Sequence, residues 1–303
     1  MKESRESLVR QGLPGGEAAE APLSAKRFPD GAHYRIEIPS TEGPRALAVV
    51  LEEASRRRVP VHRVSQGSGI LLMTDDEICE MAALGRKAGL EVNLFVGPRA
   101  TFDIGAQAFS AAGKTLGLAL RGADQLAFAL EDVRRAVRLG IESILVSDLG
   151  LLAVMGRMRK SGELPAGLII KTSVMMAPAN PASARLLEDL GATTINVPSD
   201  LTVPQLSAIR AAIDAPIDFY IEAPDNIGGF IRYYELPDLV RAGAPLYVKL
   251  GLRNSPDIYP SGTHIEATAL ALSRERVRRA QIAVEMLARY AGELRMSPAG
   301  NLG

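Results

Sequence analysis

Short runs in which apolar and polar positions alternate recur along the chain, and each run ends on a polar or charged residue of the same strand face. They are Tyr34 to Ser40, Val61 to Ser65, Glu91 to Val96, Leu168 to Ser173, Thr194 to Pro198, Phe219 to Pro224 and Leu246 to Gly251. Side chains alternate across a strand, so a period-2 slot that is apolar early and polar late gathers polar groups at the carboxyl end. That is how a parallel (β/α) barrel builds an active site.

Between the runs the apolar spacing becomes helical. Helices are predicted near 44 to 58, from Thr74 onward, and near 123 to 139, 150 to 160, 181 to 190, 202 to 213, 229 to 242 and 273 to 293. Thr74 followed by Glu77 has capping-box spacing, and Gly89, Gly140, Gly191 and Gly243 stand where helices should stop. Strands alternating with helices imply a parallel sheet. Thr115 to Arg121 and Ser143 to Asp148 also read as strands, which makes nine candidates for eight places. Either residues 34 to 40 cap the barrel, or part of 91 to 121 is an inserted hairpin. An open doubly wound sheet is the main competitor, but no Gly-x-Gly-x-x-Gly joins a strand to a helix. The expected fold is a single-domain TIM-type (β/α)8 barrel.

The 303 residues suit such a barrel with extensions. Residues 1–30 and 295–303 lack apolar periodicity and are expected to be a flexible leader and tail, with the barrel over 31–294. No apolar run approaches a membrane span, and no apolar segment follows the charged first residues, so a cytoplasmic protein is expected. The chain has 35 basic and 35 acidic residues, 5% aromatics and no tryptophan. That balance offers neither a basic stripe nor a stacking platform and argues against nucleic acid as the main partner. The arginines at 56 to 58 and between 274 and 279 read as solvated helix faces. The lone cysteine, Cys79, reads as a core residue of its helix. The neutral balance and apolar helices are compatible with a homo-oligomer.

Barrel closure would bring Lys171, Asn196, Glu222 and Lys249 to the mouth from consecutive strands, with Glu37, Arg63 and Asn93 completing a ring and Arg253 just beyond Lys249. In this ring bases outnumber acids, which implies a small anionic ligand, carboxylate or phosphate. A desolvated lysine beside another cation can lose its proton and attack a carbonyl, so Lys171 is the first choice for a Schiff-base nucleophile and Lys249 the second. Glu222 would serve as the acid/base. The alternative is a structural ion-pair layer that plugs the barrel. A metal site would use Glu37, Asp148, Glu222 and His264 with Mg or Mn; the positive excess argues against it, and no cofactor is expected.

Three loops carry further candidates. Gln66-Gly67-Ser68-Gly69 can turn backbone N–H groups toward a phosphate or be an ordinary turn. Asp225 to Gly229 would let backbone approach a ligand. Arg253 to His264 is long and polar, as lids are, and would present Tyr259 and His264 to the substrate.

From about 34 to 295 the chain resembles bacterial barrel proteins grouped with the U32 peptidase family, through Ile195 to Asp200, Ile221-Glu-Ala-Pro224 and Val248 to Arg253. The better-studied members carry a cysteine set that resembles iron–sulfur ligands, whereas this chain has only Cys79. A cluster is therefore not carried over. Nor does the resemblance imply proteolysis, because neither a Gly-x-Ser-x-Gly elbow nor a Cys and His arrangement is found. It supports the barrel. The function classes are a lyase or aldolase working through Lys171 or Lys249, a peptidase-like hydrolase using Glu222 and possible metal, and a non-catalytic binding barrel.

Overall fold

The computed structural model describes residues 2–99, 102 and 116–300. Eight parallel strands form the core: β1 (Tyr34–Pro39), β2 (Arg63–Ser65), β3 (Glu91–Phe95), β4 (Ser143–Val146), β5 (Ile169–Thr172), β6 (Ile195–Asn196), β7 (Ile217–Glu222) and β8 (Leu246–Leu250). Their spatial order is β5-β4-β3-β2-β1-β8-β7-β6, and a bridge between Lys171 and Thr194 joins the two ends into a nearly closed barrel. Residues 34–39 are thus a barrel strand and not a cap. The ninth candidate is not a strand within the described residues: Leu116–Leu118 is a single 3-10 turn, and Thr115 lies outside them.

Alternation explains the wall. On β8, Leu246, Val248 and Leu250 face the helices while Tyr247 and Lys249 face the axis, and all five are buried. The outward residues pack under α2 (Pro44–Arg57), α3 (Asp75–Ala88), α4 (Gly122–Arg138), α5 (Leu149–Ser161), α6 (Pro181–Asp189), α7 (Val203–Ala212), α8 (Leu236–Gly243) and α9 (Glu266–Tyr290), which follow a first short helix, α1 (Lys2–Arg10). Thr74 and Glu77 form the expected capping box on α3, and Gly89 ends that helix at φ 59°, a conformation that suits glycine. The segment before α8 differs from expectation: Asp225–Ile227 and Tyr233–Glu235 are short turns, and the helix begins only at Leu236. Cys79 is exposed, because the buried stripe of α3 runs through Ile78, Met81, Ala82 and Gly85 and passes it by. No helix among the described residues is long and apolar enough to cross a membrane.

The packed body extends beyond the expected 31–294. Ser24 N–H donates to Arg241 O at 2.8 Å, and buried Phe28 meets Tyr247 edge to face at 5.2 Å under the barrel. At the other end Met296 bridges to Tyr34, and Ser297 is 1% exposed. Parts of the leader and tail are therefore held against the body, from Leu13 on the core and Pro22 O at Ser207 Oγ to Gly300 against Gly89.

His62 fastens this seam. Its Nδ1 accepts from Ile36 N–H at 3.0 Å, so the proton sits on Nε2, which donates to Ser297 O at 2.8 Å. Burial pushes its pKa from 6.5 down to about 4. The folded ring stays neutral where the unfolded one would take a proton, so its stability contribution is complete above pH 6.5 and is lost as pH falls toward 4. The expected loss across that window is about 3 kcal/mol. Urea unfolding from pH 7.5 to pH 4.5 checks this: a His62→Gln chain should lack that part of the slope, and identical slopes would remove His62 from the account.

Candidate functional site

The axial side chains form a connected charged layer. Glu37 on β1 stands at its centre: Oε1 accepts from Lys171 Nζ and Ser65 Oγ and lies 3.3 Å from Lys249 Nζ, while Oε2 accepts from Arg63 Nη1 at 3.2 Å. Asp218 on β7 takes the opposite side of Arg63 Nη1 at 2.8 Å, with Thr194 Oγ1 at 2.8 Å and Lys171 Nζ at 3.6 Å on its other oxygen. Glu91 closes the base, 2.8 Å from Arg63 Nε and bonded by Ser143 Oγ at 2.6 Å. The Arg63 guanidinium is stacked 3.5 Å over Tyr247. Asn93 Nδ2 donates to Ser143 Oγ at 2.7 Å. Asn196, in the amide orientation that satisfies both ends, accepts from Lys249 Nζ at 2.8 Å and donates to the Asp218 carbonyl at 3.1 Å.

The expected positive excess is absent, because Glu37, Asp218 and Glu91 match Arg63, Lys171 and Lys249 one for one. Every one of the six is buried. Burial raises the cost of charge on Glu37, yet Lys171, Lys249 and Arg63 together hold its carboxyl well below the usual range. Burial likewise draws Lys171 down to about 8, against the pull of Asp218 and Glu37.

Glu222 does not join the layer. A bulge between Tyr220 and Glu222 shifts the register, so Glu222 pairs with outward-facing Leu250. Its carboxylate turns toward α9: Oε2 accepts from Tyr233 OH at 2.9 Å and lies 3.6 Å from Arg279 Nε, and Oε1 accepts from Arg253 N–H at 3.2 Å. Arg253 is itself exposed beside Asp225. His264 is exposed on the turn Thr263–Ile265. Asp148 caps α5 by accepting from Leu151 N–H at 2.7 Å. The four residues of the metal alternative are thus dispersed, and no group of three or more His, Cys, Asp or Glu able to hold a metal occurs among the described residues.

Above the layer lies the mouth. Tyr220, kept inward by the strand before the bulge, carries its ring 4.2 Å from Lys249 Nζ. Tyr259, from the loop after β8, lies so close to the β2 loop that a Cβ on Gly67 would come within 2.5 Å of its ring, and its hydroxyl bonds Ser40 Oγ. Tyr259 therefore does reach the mouth. Two arginines join it. Arg99, after β3, has its guanidinium 4.0 Å over Phe95 and 5.5 Å from the Tyr259 ring, and donates from Nη2 to Gly67 O. Arg276 from α9 is 4% exposed and donates from Nη1 to Ser40 O at 3.3 Å. Burial lowers the pKa of both, and both lie in the field of Glu42 and Tyr259. The Nε of each is buried with no hydrogen-bond partner among the described residues. The mouth thus offers one buried and one half-buried cation, each with an Nε unpaired among the described residues, a composition suited to an anion.

Sequence reasoning missed Arg276 because its neighbours made it look like one position of a solvated face. Asp218 and Tyr220 carried a usable signal, since both share the inward alternation of β7. Arg99 carried none.

Residues 117–223 match the family model of Peptidase family U32. No curated protein matches the chain. Among solved structures, a putative fructose-1,6-biphosphate aldolase from Coccidioides immitis is 12% identical over 86% of this chain and 92% of its own, with a TM-score of 0.52. The U32 peptidase Mk0906 is 18% identical over 66% and 73%, with a TM-score of 0.43. Orotidine 5'-monophosphate decarboxylase from Methanocaldococcus jannaschii is 13% identical over 84% and 98%, with a TM-score of 0.45. The likeness is one of fold, the parallel barrel, together with the U32 resemblance.

Proposed function

We propose that this U32-like barrel is an enzyme that binds a small anionic substrate at its carboxyl-end mouth and acts on a carbonyl group of that substrate through Lys249, as a lyase or aldolase. The observation that carries the reading is the pair of buried Arg276 and half-buried Arg99 beside the Tyr259 loop, each with a buried Nε that has no partner among the described residues. They would hold the carboxylate or phosphate while the carbonyl carbon rests over Lys249.

Lys249 is preferred to Lys171 for reach. Both lysines are buried; Lys171 is clamped by Glu37 with Asp218 at 3.6 Å, whereas Lys249 lies 3.3 Å from Glu37 and is covered on the mouth side by the Tyr220 ring at 4.2 Å, which would have to turn aside for a carbonyl to reach the amine. Transient release of the ammonium proton would let the amine attack, and the carbonyl oxygen would leave as water, so that the cation is kept as a protonated imine that stabilises a carbanion on the neighbouring carbon. Burial pushes the Tyr220 hydroxyl pKa up, so Tyr220 stays protonated beside Lys249 and is placed to donate. The hydrolase alternative would need Glu222 to face the substrate, and its carboxylate is turned toward Tyr233 and Arg279 instead. A binding barrel without chemistry is the second reading, favoured by the exact match of charges in the axial layer.

An Arg276→Met chain is expected to bind anions at least 30-fold more weakly, because a buried charge-assisted contact is worth about 2–5 kcal/mol. Thermal-shift titration of chelator-treated protein with oxo-acids and sugar phosphates, with and without Mg or Mn, reads this. Stabilisation that survives Arg276→Met, or that requires the metal, would sink the arginine site.

A further inference from the structure

The loop after β2 holds an anion that belongs to the chain itself. Glu42 places its carboxylate against the backbone there: Gly67 N–H donates to Oε1 at 2.7 Å, and Ser68 N–H and Ser68 Oγ donate to Oε2 at 3.1 and 2.6 Å. This is the geometry by which successive backbone N–H groups cradle oxyanions. The cradle lies among the mouth groups. Arg99 donates to Gly67 O, Arg276 is buried within the field of Glu42, and each has a buried Nε without a partner among the described residues. The loop after β8 closes over it, with Ser261 N–H donating to Ser68 Oγ at 2.8 Å and Tyr259 lying on Gly67.

We propose that the Gly67–Ser68 cradle is the phosphate subsite of the mouth, that Glu42 occupies it in the resting protein, and that the phosphomonoester end of the substrate enters by displacing Glu42. The inference rests on the small-anion reading above and narrows it to a phosphorylated substrate. Donor count favours phosphate over carboxylate. Two N–H groups, one hydroxyl and the two guanidinium Nε donors unpaired among the described residues exceed what the two oxygens of a carboxylate use, and they match the three terminal oxygens of a phosphomonoester. Glu42 is also a resident whose charge is costly to bury, despite its three hydrogen bonds. Burial pushes its carboxyl above the usual range although Ser68 and Gly67 bond to it, and a ligand that is better paired with Arg99 and Arg276 has a ready exchange. Because Ser68 Oγ bonds both Glu42 and Ser261, the same exchange would loosen or reset the Tyr259 loop.

The test is calorimetric titration of the full chain with inorganic phosphate at neutral pH. Glu42→Gln removes the resident charge, and Glu42→Asp keeps the charge but withdraws it by one methylene. Both are expected to bind phosphate at least tenfold more tightly than the unaltered chain, since a tethered competitor has been removed, and Ser68→Ala to bind it more weakly. Folded Glu42 variants that bind no more tightly would overturn the proposal, as would failure of both variants to fold, which would make Glu42 a loop fastening. Phosphate binding that depends on Arg276 but is indifferent to Glu42 would leave the small-anion reading standing. Binding of no small anion by any form would remove both.

Discussion

Replacing Glu37 by alanine is expected to cost about 3–5 kcal/mol of folding stability, the range seen when one partner of a buried ion pair is removed. Three cations converge on this carboxylate, and its loss leaves Arg63, Lys171 and Lys249 facing only Asp218 and Glu91 in the barrel interior. Against a total stability of about 5–15 kcal/mol, that is enough to unfold a marginal chain. Urea unfolding at neutral pH measures it. Removing Lys171 as well, in a Glu37→Leu, Lys171→Met chain, should recover a substantial part, because the remaining charges again balance and the new side chains fill the space. A single-variant loss below about 1 kcal/mol would mean that water reaches the layer and screens it. The pH dependence has a definite sign. The Glu37 carboxyl is depressed in the folded state, so its contribution is present above its ordinary value of 4.5 and is lost as pH falls below it.

Lys249→Met carries the largest expected effect on activity, a fall of about a thousandfold or more if the amine is the nucleophile. The direct readout is borohydride reduction in the presence of pyruvate, which converts an imine to a stable adduct on one lysine, located by peptide mass. The adduct is expected on Lys249 and should vanish in Lys249→Met. That variant also unbalances the buried layer and should lose stability, although Glu37 retains Lys171, Arg63 and Ser65 as partners, so trapping is read on the fraction that remains folded. Lys171→Met is the contrast: it should lose stability but still trap in whatever fraction remains folded. An adduct on Lys171, or none on either lysine with any oxo-acid, would sink the assignment, and the second outcome would favour the binding barrel.

The barrel was legible because its determinants are local and repetitive: two-residue alternation in each strand, the Thr74 and Glu77 cap, and glycines after helices. The axial layer was partly legible for the same reason, since Glu37, Arg63, Asn93, Lys171, Asn196 and Lys249 all sit at inward slots. Glu222 failed because a bulge adds one residue to a strand without changing its composition, and that residue turns the side chain over. The charge balance failed with it, as Asp218 and Glu91 lie one slot deeper than the strand ends that drew attention. Cys79 shares i, i+3 spacing with Ala82 but lies about 100° round the helix from Ile78, which sets it outside the stripe of Ile78, Met81, Ala82 and Gly85. Arg276 was hidden for a different reason: only tertiary packing distinguishes the one buried arginine of a charged helix from its solvated neighbours.

The two ends of the packed chain meet on the same side of the barrel. Ser24 and Phe28 lie beneath it beside Arg241 and Tyr247, and Ser297 is fastened to Tyr34 and His62. Past Ser297 the chain therefore leaves the body on the face opposite Arg99, Tyr259 and Arg276. Anything attached beyond the carboxyl end, such as a purification tag, a solid support or a second protein joined by a linker, would hang from the underside, away from the mouth. A fusion meant to deliver its cargo to the mouth would have to be inserted in one of the upper loops instead.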